Sequence, residues 1–238
     1  MGPSAVPEKP EQLPFELPQR EAVGRDDFLV TPSNEAAVRL IDEWPQWPTH
    51  GAVLVGPAGA GKSHLTRVWQ AASMAEIVPA AALTKAAVPE LLARKAICIE
   101  DVRRGGFDET GLFHLLNLAR QEDGYVLLTS EDEPSAWAVQ LPDLRSRLAA
   151  LPAVRILPPD DALLRGVLVK LFTDRQIAVD EPLISYMMLR MPRSLAAARD
   201  LVALIDREAL ASKAEVTRAF VAKVMVNYDS PGLFTTLS

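Results

Sequence analysis

The chain has 238 residues, 49% hydrophobic and 24% charged, with a formal net charge of −6 and a pI near 5.2. That acidic balance argues against a protein whose main business is gripping nucleic-acid phosphates, which calls for a basic face. No run approaches the roughly 20 apolar residues of a membrane span, and the proline-rich, acid-containing start lacks the basic and apolar regions of a signal peptide, so a cytoplasmic protein is expected.

Taken along the chain, residues 1–20 hold five prolines (Pro3, Pro7, Pro10, Pro14 and Pro18) and are expected as an extended tail outside the core. Within this tail, Gln12-Leu13-Pro14-Phe15-Glu16-Leu17 sets three large apolar side chains in a polar arm. Such a segment reads as a peptide ligand for a groove on another protein, or else Leu13, Phe15 and Leu17 fold back onto this chain. An α/β nucleotide-binding domain is expected over 21–158. Its first helix starts at Ser33 as N-cap, carries Ala37, Val38, Leu40 and Ile41, and runs to about Glu43, where Trp44-Pro45-Gln46-Trp47-Pro48 stops it. The two tryptophans read as packing anchors.

Near-continuous apolar strands follow at 52–55, 76–78, 96–100, 125–129 and 153–157, with helices near 62–73, 109–122 and 142–149 between them. This alternation predicts a parallel five-stranded sheet covered by helices on both faces. Cys98 lies inside the third strand and reads as a small buried hydrophobe; a single cysteine cannot form an internal disulfide, which suits a reducing compartment. His50, His64 and His114 are too scattered to suggest a zinc cluster. From Pro159 the strand signal disappears, and 160–174, 181–190, 193–211 and 215–227 read as the helices of a small all-α lid domain over 159–238.

Between the first strand and its helix lies Gly56-Pro57-Ala58-Gly59-Ala60-Gly61-Lys62-Ser63, which fits the phosphate-loop pattern G-x-x-x-x-G-K-[ST] at every specified position and in the strand-to-helix context the pattern requires. Glycines let successive backbone N–H groups turn toward phosphate oxygens at a helix N-terminus. Lys62 is then a point charge for the terminal phosphates, and Ser63 offers a hydroxyl to Mg²⁺. The residues expected to contact a bound nucleotide di- or triphosphate are Gly56, Gly59, Ala60, Gly61, Lys62, Ser63 and His64.

The third strand ends in Glu100-Asp101, where a phosphate-loop protein keeps one carboxylate for Mg²⁺ and another to orient water. Ser63 and Glu100 are therefore the candidate Mg²⁺ ligands, and Glu100 and Asp101 the candidate catalytic carboxylates. The usual order of this pair is Asp-Glu. With the shorter Asp101 in the position of the base, weak or no intrinsic hydrolysis is expected.

The fourth strand ends in Thr129-Ser130-Glu131, and the chain continues to Asp143-Leu144-Arg145-Ser146-Arg147-Leu148 and Arg190-Met191-Pro192-Arg193-Ser194-Leu195. Together with the phosphate loop and the acid pair, these segments make residues 12–228 similar to the AAA+ ATPases and, within them, to the DnaA-related Hda family, regulatory inactivators of the bacterial replication initiator DnaA. The resemblance implies that Ser130, or alternatively Thr129, acts as sensor 1. It implies that Arg147 is an arginine finger presented to a neighbour's nucleotide and Arg193 a sensor 2 arginine that contacts bound phosphate. It further implies that Gln12, Leu13, Phe15 and Leu17 bind the DNA polymerase sliding clamp, with DnaA as second partner, DNA reached only through the clamp, and a homodimer or higher AAA+ assembly allowed. The sequence ends at Ser238, directly after the helical segment, so the DNA-binding domain of the initiator is expected to be absent. A DnaA-like helicase loader and, more remotely, a phosphate-loop small-molecule kinase are the competing readings.

Overall fold

The computed structural model describes residues 29–228; Gln12, Leu13, Phe15 and Leu17 lie outside the described residues. Five strands form one parallel sheet: β1 Gly51–Val55, β2 Glu76–Pro79, β3 Ala96–Glu100, β4 Tyr125–Ser130 and β5 Ala153–Arg155, in the order β2-β3-β4-β1-β5. Nine α-helices accompany them among the described residues: α1 Glu35–Asp42, α2 Lys62–Ser73, α3 Val88–Leu92, α4 Glu109–Gln121, α5 Pro142–Ala149, α6 Asp161–Asp174, α7 Glu181–Met188, α8 Leu195–Ser212 and α9 Arg218–Tyr228.

Strand pleating divides the sheet's side chains into two cores. Val53, Val55, Ile97, Ile99, Val126 and Leu128 face α3, α4 and α5. Ala52, Leu54, Cys98 and Leu127 face α1 and α2. β1 is buried throughout, because it has a neighbour on each edge and a helical layer on each face. The tryptophans do anchor packing. Trp47 stacks on Trp69 of α2 with ring centroids 5.5 Å apart and donates its indole N–H to Leu40 O at 2.7 Å, tying α1 to α2. Cys98 is fully buried, which pushes its thiol pKa up and leaves it a packing residue.

A third core belongs to α6–α9 and, among the described residues, is built from 163–225, including Leu168, Phe172, Met187, Leu201 and Val221. The junction between the two parts runs through Pro158-Pro159. There Leu157 N–H donates to Ser33 O at 2.9 Å, and Asp160 caps α6 by accepting from Leu163 N–H at 2.7 Å.

Several boundaries differ from the sequence reading. Asn34, not Ser33, occupies the N-cap position of α1, and its side chain closes the preceding turn by accepting from Thr31 N–H. The Ser33 hydroxyl instead pairs with Thr31 Oγ1. The fifth strand ends at Arg155: Ile156 N–H still donates to Val55 O at 2.7 Å, but β1 stops at Val55 and Leu157 N–H turns away to Ser33 O. The segment after β2 forms two single 3₁₀ turns, 80–82 and 85–87, and the short α3. It is pinned to α4 where Lys85 N–H reaches Asp108 Oδ2 at 3.2 Å, over a gap that a side chain at Gly111 would fill.

Candidate nucleotide-binding site

Three strand ends meet at the carboxyl edge of the sheet, the place where open α/β sheets bind ligands. β4 stands between β1 and β3, with Val55 level with Ser130 and Ile99 level with Leu128. The phosphate loop is therefore flanked by the end of β4, and Glu100-Asp101 lies one strand further on.

The loop is held open by its own backbone. Gly56 N–H donates to Ser130 O at 3.0 Å, and a Cβ at Gly56 would meet Ile156 O at 2.8 Å. Gly59 and Gly61 take φ of +72° and +107°, values that side chains disfavour. Gly61 then starts α2 with no side-chain cap and no acid in the first turn, so the first amides of this helix remain available to an anion. Lys62 is 8% exposed and donates from Nζ to Gly56 O at 2.7 Å and Pro57 O at 3.1 Å. Burial lowers its pKa, opposed by the negative charges of Glu131, Asp101 and Glu100, in that order. Ala60 is buried, Ser63 is exposed in the first turn of α2, and His64 is half-buried.

One ammonium thus stands among three carboxylates. The sequence shows Glu131 only as part of the polar strand end Thr129-Ser130-Glu131, with no role beside Lys62. Glu100 carboxylate and Ser63 hydroxyl oxygens are the hard donors that Mg²⁺ takes, so the residues present fit such an ion. Asp101 is exposed with φ +58°, and its N–H donates to Thr129 Oγ1 at 3.1 Å. Ser130 is buried and its hydroxyl is engaged three ways: it donates to Val102 O at 2.6 Å and accepts from Trp137 Nε1 at 3.0 Å and Asp132 N–H at 3.2 Å. Neither hydroxyl at this strand end is idle, and a phosphate contact by Ser130 requires exchanging one of these bonds.

The two arginines sit differently. Arg193 pairs with Asp161 of α6, while Ser194, its neighbour in sequence, abuts Gly59: a Cβ there would lie 2.8 Å from Ser194 Cβ. Leu195 N–H donates to Gly59 O at 3.0 Å, so the start of α8 rests on the phosphate loop. Arg147 is half-buried on α5, which leads to the edge strand β5, and among the described residues no ion pair engages it.

Structural comparison places this architecture. Domain III of the Thermotoga maritima replication initiation protein DnaA superposes with a TM-score of 0.74 at 17% identity, covering 88% of this chain and 98% of that one. The fold is that of the AAA+ ATPases. AMPPCP-bound DnaA from Aquifex aeolicus gives a TM-score of 0.63 at 17% identity over 79% of this chain and 68% of that one. A Thermotoga maritima RuvB variant gives 0.68 at 15% identity over 86% and 72%. In sequence the chain is 25% identical over 182 residues to an uncharacterized protein of Haemophilus influenzae, covering 71% of this chain and 79% of the relative. No protein-family model matches it. Among the described residues, no helix of this chain is long and apolar enough to cross a membrane.

Proposed function

We propose that this chain is a regulator of bacterial replication initiation: it binds ADP or ATP with Mg²⁺, attaches through its tail to the sliding clamp, and promotes hydrolysis of ATP bound to DnaA. The observation that carries the reading is the pairing of a formed phosphate loop with an arginine, Arg147, on the helix that leads to the sheet's edge strand. The likeness of the fold to that of DnaA domain III supports it.

In this reading Lys62 and the first amides of α2 hold the phosphates, and Ser63 and Glu100 hold the Mg²⁺, which neutralises phosphate charge. Arg147 serves the neighbour. A guanidinium placed in trans offsets the charge that develops on the transferred phosphoryl group, an effect worth roughly 10³ to 10⁵ in rate in GTPase systems. Arg193, freed from Asp161, serves this chain's own nucleotide.

The test is hydrolysis of DnaA-bound ATP on clamp-loaded DNA. Arg147→Ala is expected to retain folding, ADP binding and clamp binding while losing the stimulation, and Arg193→Ala to weaken nucleotide binding by this chain itself. Replacing Gln12, Leu13 and Phe15 with alanine is expected to abolish clamp binding. Full stimulation by the Arg147 variant overturns the reading.

A further inference from the structure

The segment 131–141, which joins the nucleotide-side end of β4 to α5, is clasped at two points by residues that the sequence reading did not single out. At its start, Trp137 is buried and donates its indole N–H to Ser130 Oγ at 3.0 Å and Asp132 O at 3.1 Å. Its ring meets Phe107, in the loop after β3, edge to face at 6.0 Å. At its end, the Glu109 carboxylate of α4 accepts from Gln140 N–H at 2.9 and 3.0 Å and from Leu141 N–H at 2.8 Å. Leu141 is the N-cap of α5 and provides no side-chain cap of its own; Glu109, from another helix, satisfies the N–H of that residue and ties down the stretch of chain entering the helix. Between the two clasps Ala138 turns the chain at φ +55°, a conformation that a non-glycine residue keeps only where its surroundings impose it.

We infer that Glu109 and Trp137 are positioning residues for Arg147: together they fix α5 relative to the ends of β3 and β4, and hence fix where its guanidinium stands at the edge of the molecule. The inference rests on the trans role proposed for Arg147. Its physical content is separate. A finger worth several orders of magnitude in rate has to be held to a fraction of an ångström. α5 has only eight residues and buries only Leu144 and Leu148, too little to hold itself. Glu109 also connects the finger to the acid pair, since α4 follows directly on the loop that begins at Asp101. Trp137 makes the second connection, through Ser130.

The experiment compares Glu109→Gln, which puts an amide nitrogen against donors while keeping shape, and Trp137→Phe, which removes the N–H while keeping most of the ring packing, with Arg147→Ala and with each double variant. Stimulation of ATP hydrolysis by the ATP-loaded AAA+ neighbour is expected to fall at least about tenfold in both single variants, with ADP affinity within about twofold of the parent. Adding Arg147→Ala to either is expected to cause no further loss beyond that of Arg147→Ala alone, because both act through that residue. In Glu109→Gln the amides of Gln140 and Leu141 are expected to exchange with solvent faster, a readout that needs no partner. Undiminished stimulation by both single variants, with Arg147→Ala inactive, overturns the positioning role, as do unchanged exchange rates at Gln140 and Leu141. Undiminished stimulation by Arg147→Ala overturns instead the reading beneath it.

Discussion

Lys62 is the residue at which the chemistry of the site is most concentrated. Its ammonium is buried, bonded to the carbonyls of Gly56 and Pro57, and lowered in pKa by that burial despite three nearby carboxylates. Lys62→Ala is expected to reduce ADP and ATP affinity tenfold or more, about 1.4 kcal/mol, in calorimetry. The thermal midpoint without nucleotide should change little, since relief of a buried charge offsets two lost hydrogen bonds. The pH dependence has a definite sign. With the folded pKa below the ordinary 10.5, the unfolded chain holds the proton more tightly between those two values, so this group's contribution to stability rises with pH across that window. Bound phosphates work in the opposite direction by favouring the charged amine. Nucleotide binding within that alkaline window is therefore expected to take up protons, visible as a binding enthalpy that depends on the ionisation enthalpy of the buffer. A buffer-independent enthalpy there would contradict the assignment of Lys62 to the phosphates.

Among the elements, α6 offers a clean measurement because its cap is also a junction. Asp160 accepts from Leu163 N–H and from Thr31 and Ser33, and these bonds hold its carboxyl below the usual 3.8. A depressed carboxyl stabilises the fold above its unfolded pKa and ceases to do so as pH falls through the folded value. Asp160→Ala is accordingly expected to cost about 1 kcal/mol at neutral pH, the typical worth of an N-cap, with the gap to the parent closing in melts as pH falls from the usual carboxylate range through the depressed folded value. The elements themselves were largely legible in the sequence for a physical reason. β1, β3 and β4 are covered on both faces, so their apolar runs are unbroken, and α2, α4 and α8 are long enough for their period to show. What lies at 80–92 was not legible, because two single 3₁₀ turns and a five-residue helix are too short to carry a period. Asn34 and Ser33 are both good caps, and only the turn closed on Thr31 N–H decides between them. The site divides similarly. The phosphate loop is a local pattern and can be read from spacing, whereas Glu131 beside Lys62 and Glu109 beneath α5 depend on partners far away along the chain.

At the scale of the whole molecule, the sheet and the α6–α9 unit own separate cores and meet through a few bonds, among them Leu195 N–H to Gly59 O. A ligand that binds the folded state alone adds about 2.7 kcal/mol of stability at a hundred times its dissociation constant. Saturating ADP is therefore expected to raise the melting midpoint of the parent chain clearly and that of Lys62→Ala by about half as much or less when both are heated at the same ADP concentration, since a site tenfold weaker still gains about 1.4 kcal/mol there. The contact at Gly59 also has a mechanical side. α8 has 18 residues, a rigid rod of roughly 27 Å, and it is its near end that rests on the phosphate loop. Since α8 is packed against α6 and α9, a tilt would carry that whole unit with it, as a lever whose short arm lies at the phosphate loop. A tilt of about 10° started by sub-ångström movement of the loop would carry the far end through roughly 5 Å. A neighbour seated there would detect the exchange of one nucleotide for another as displacement, without touching the phosphates.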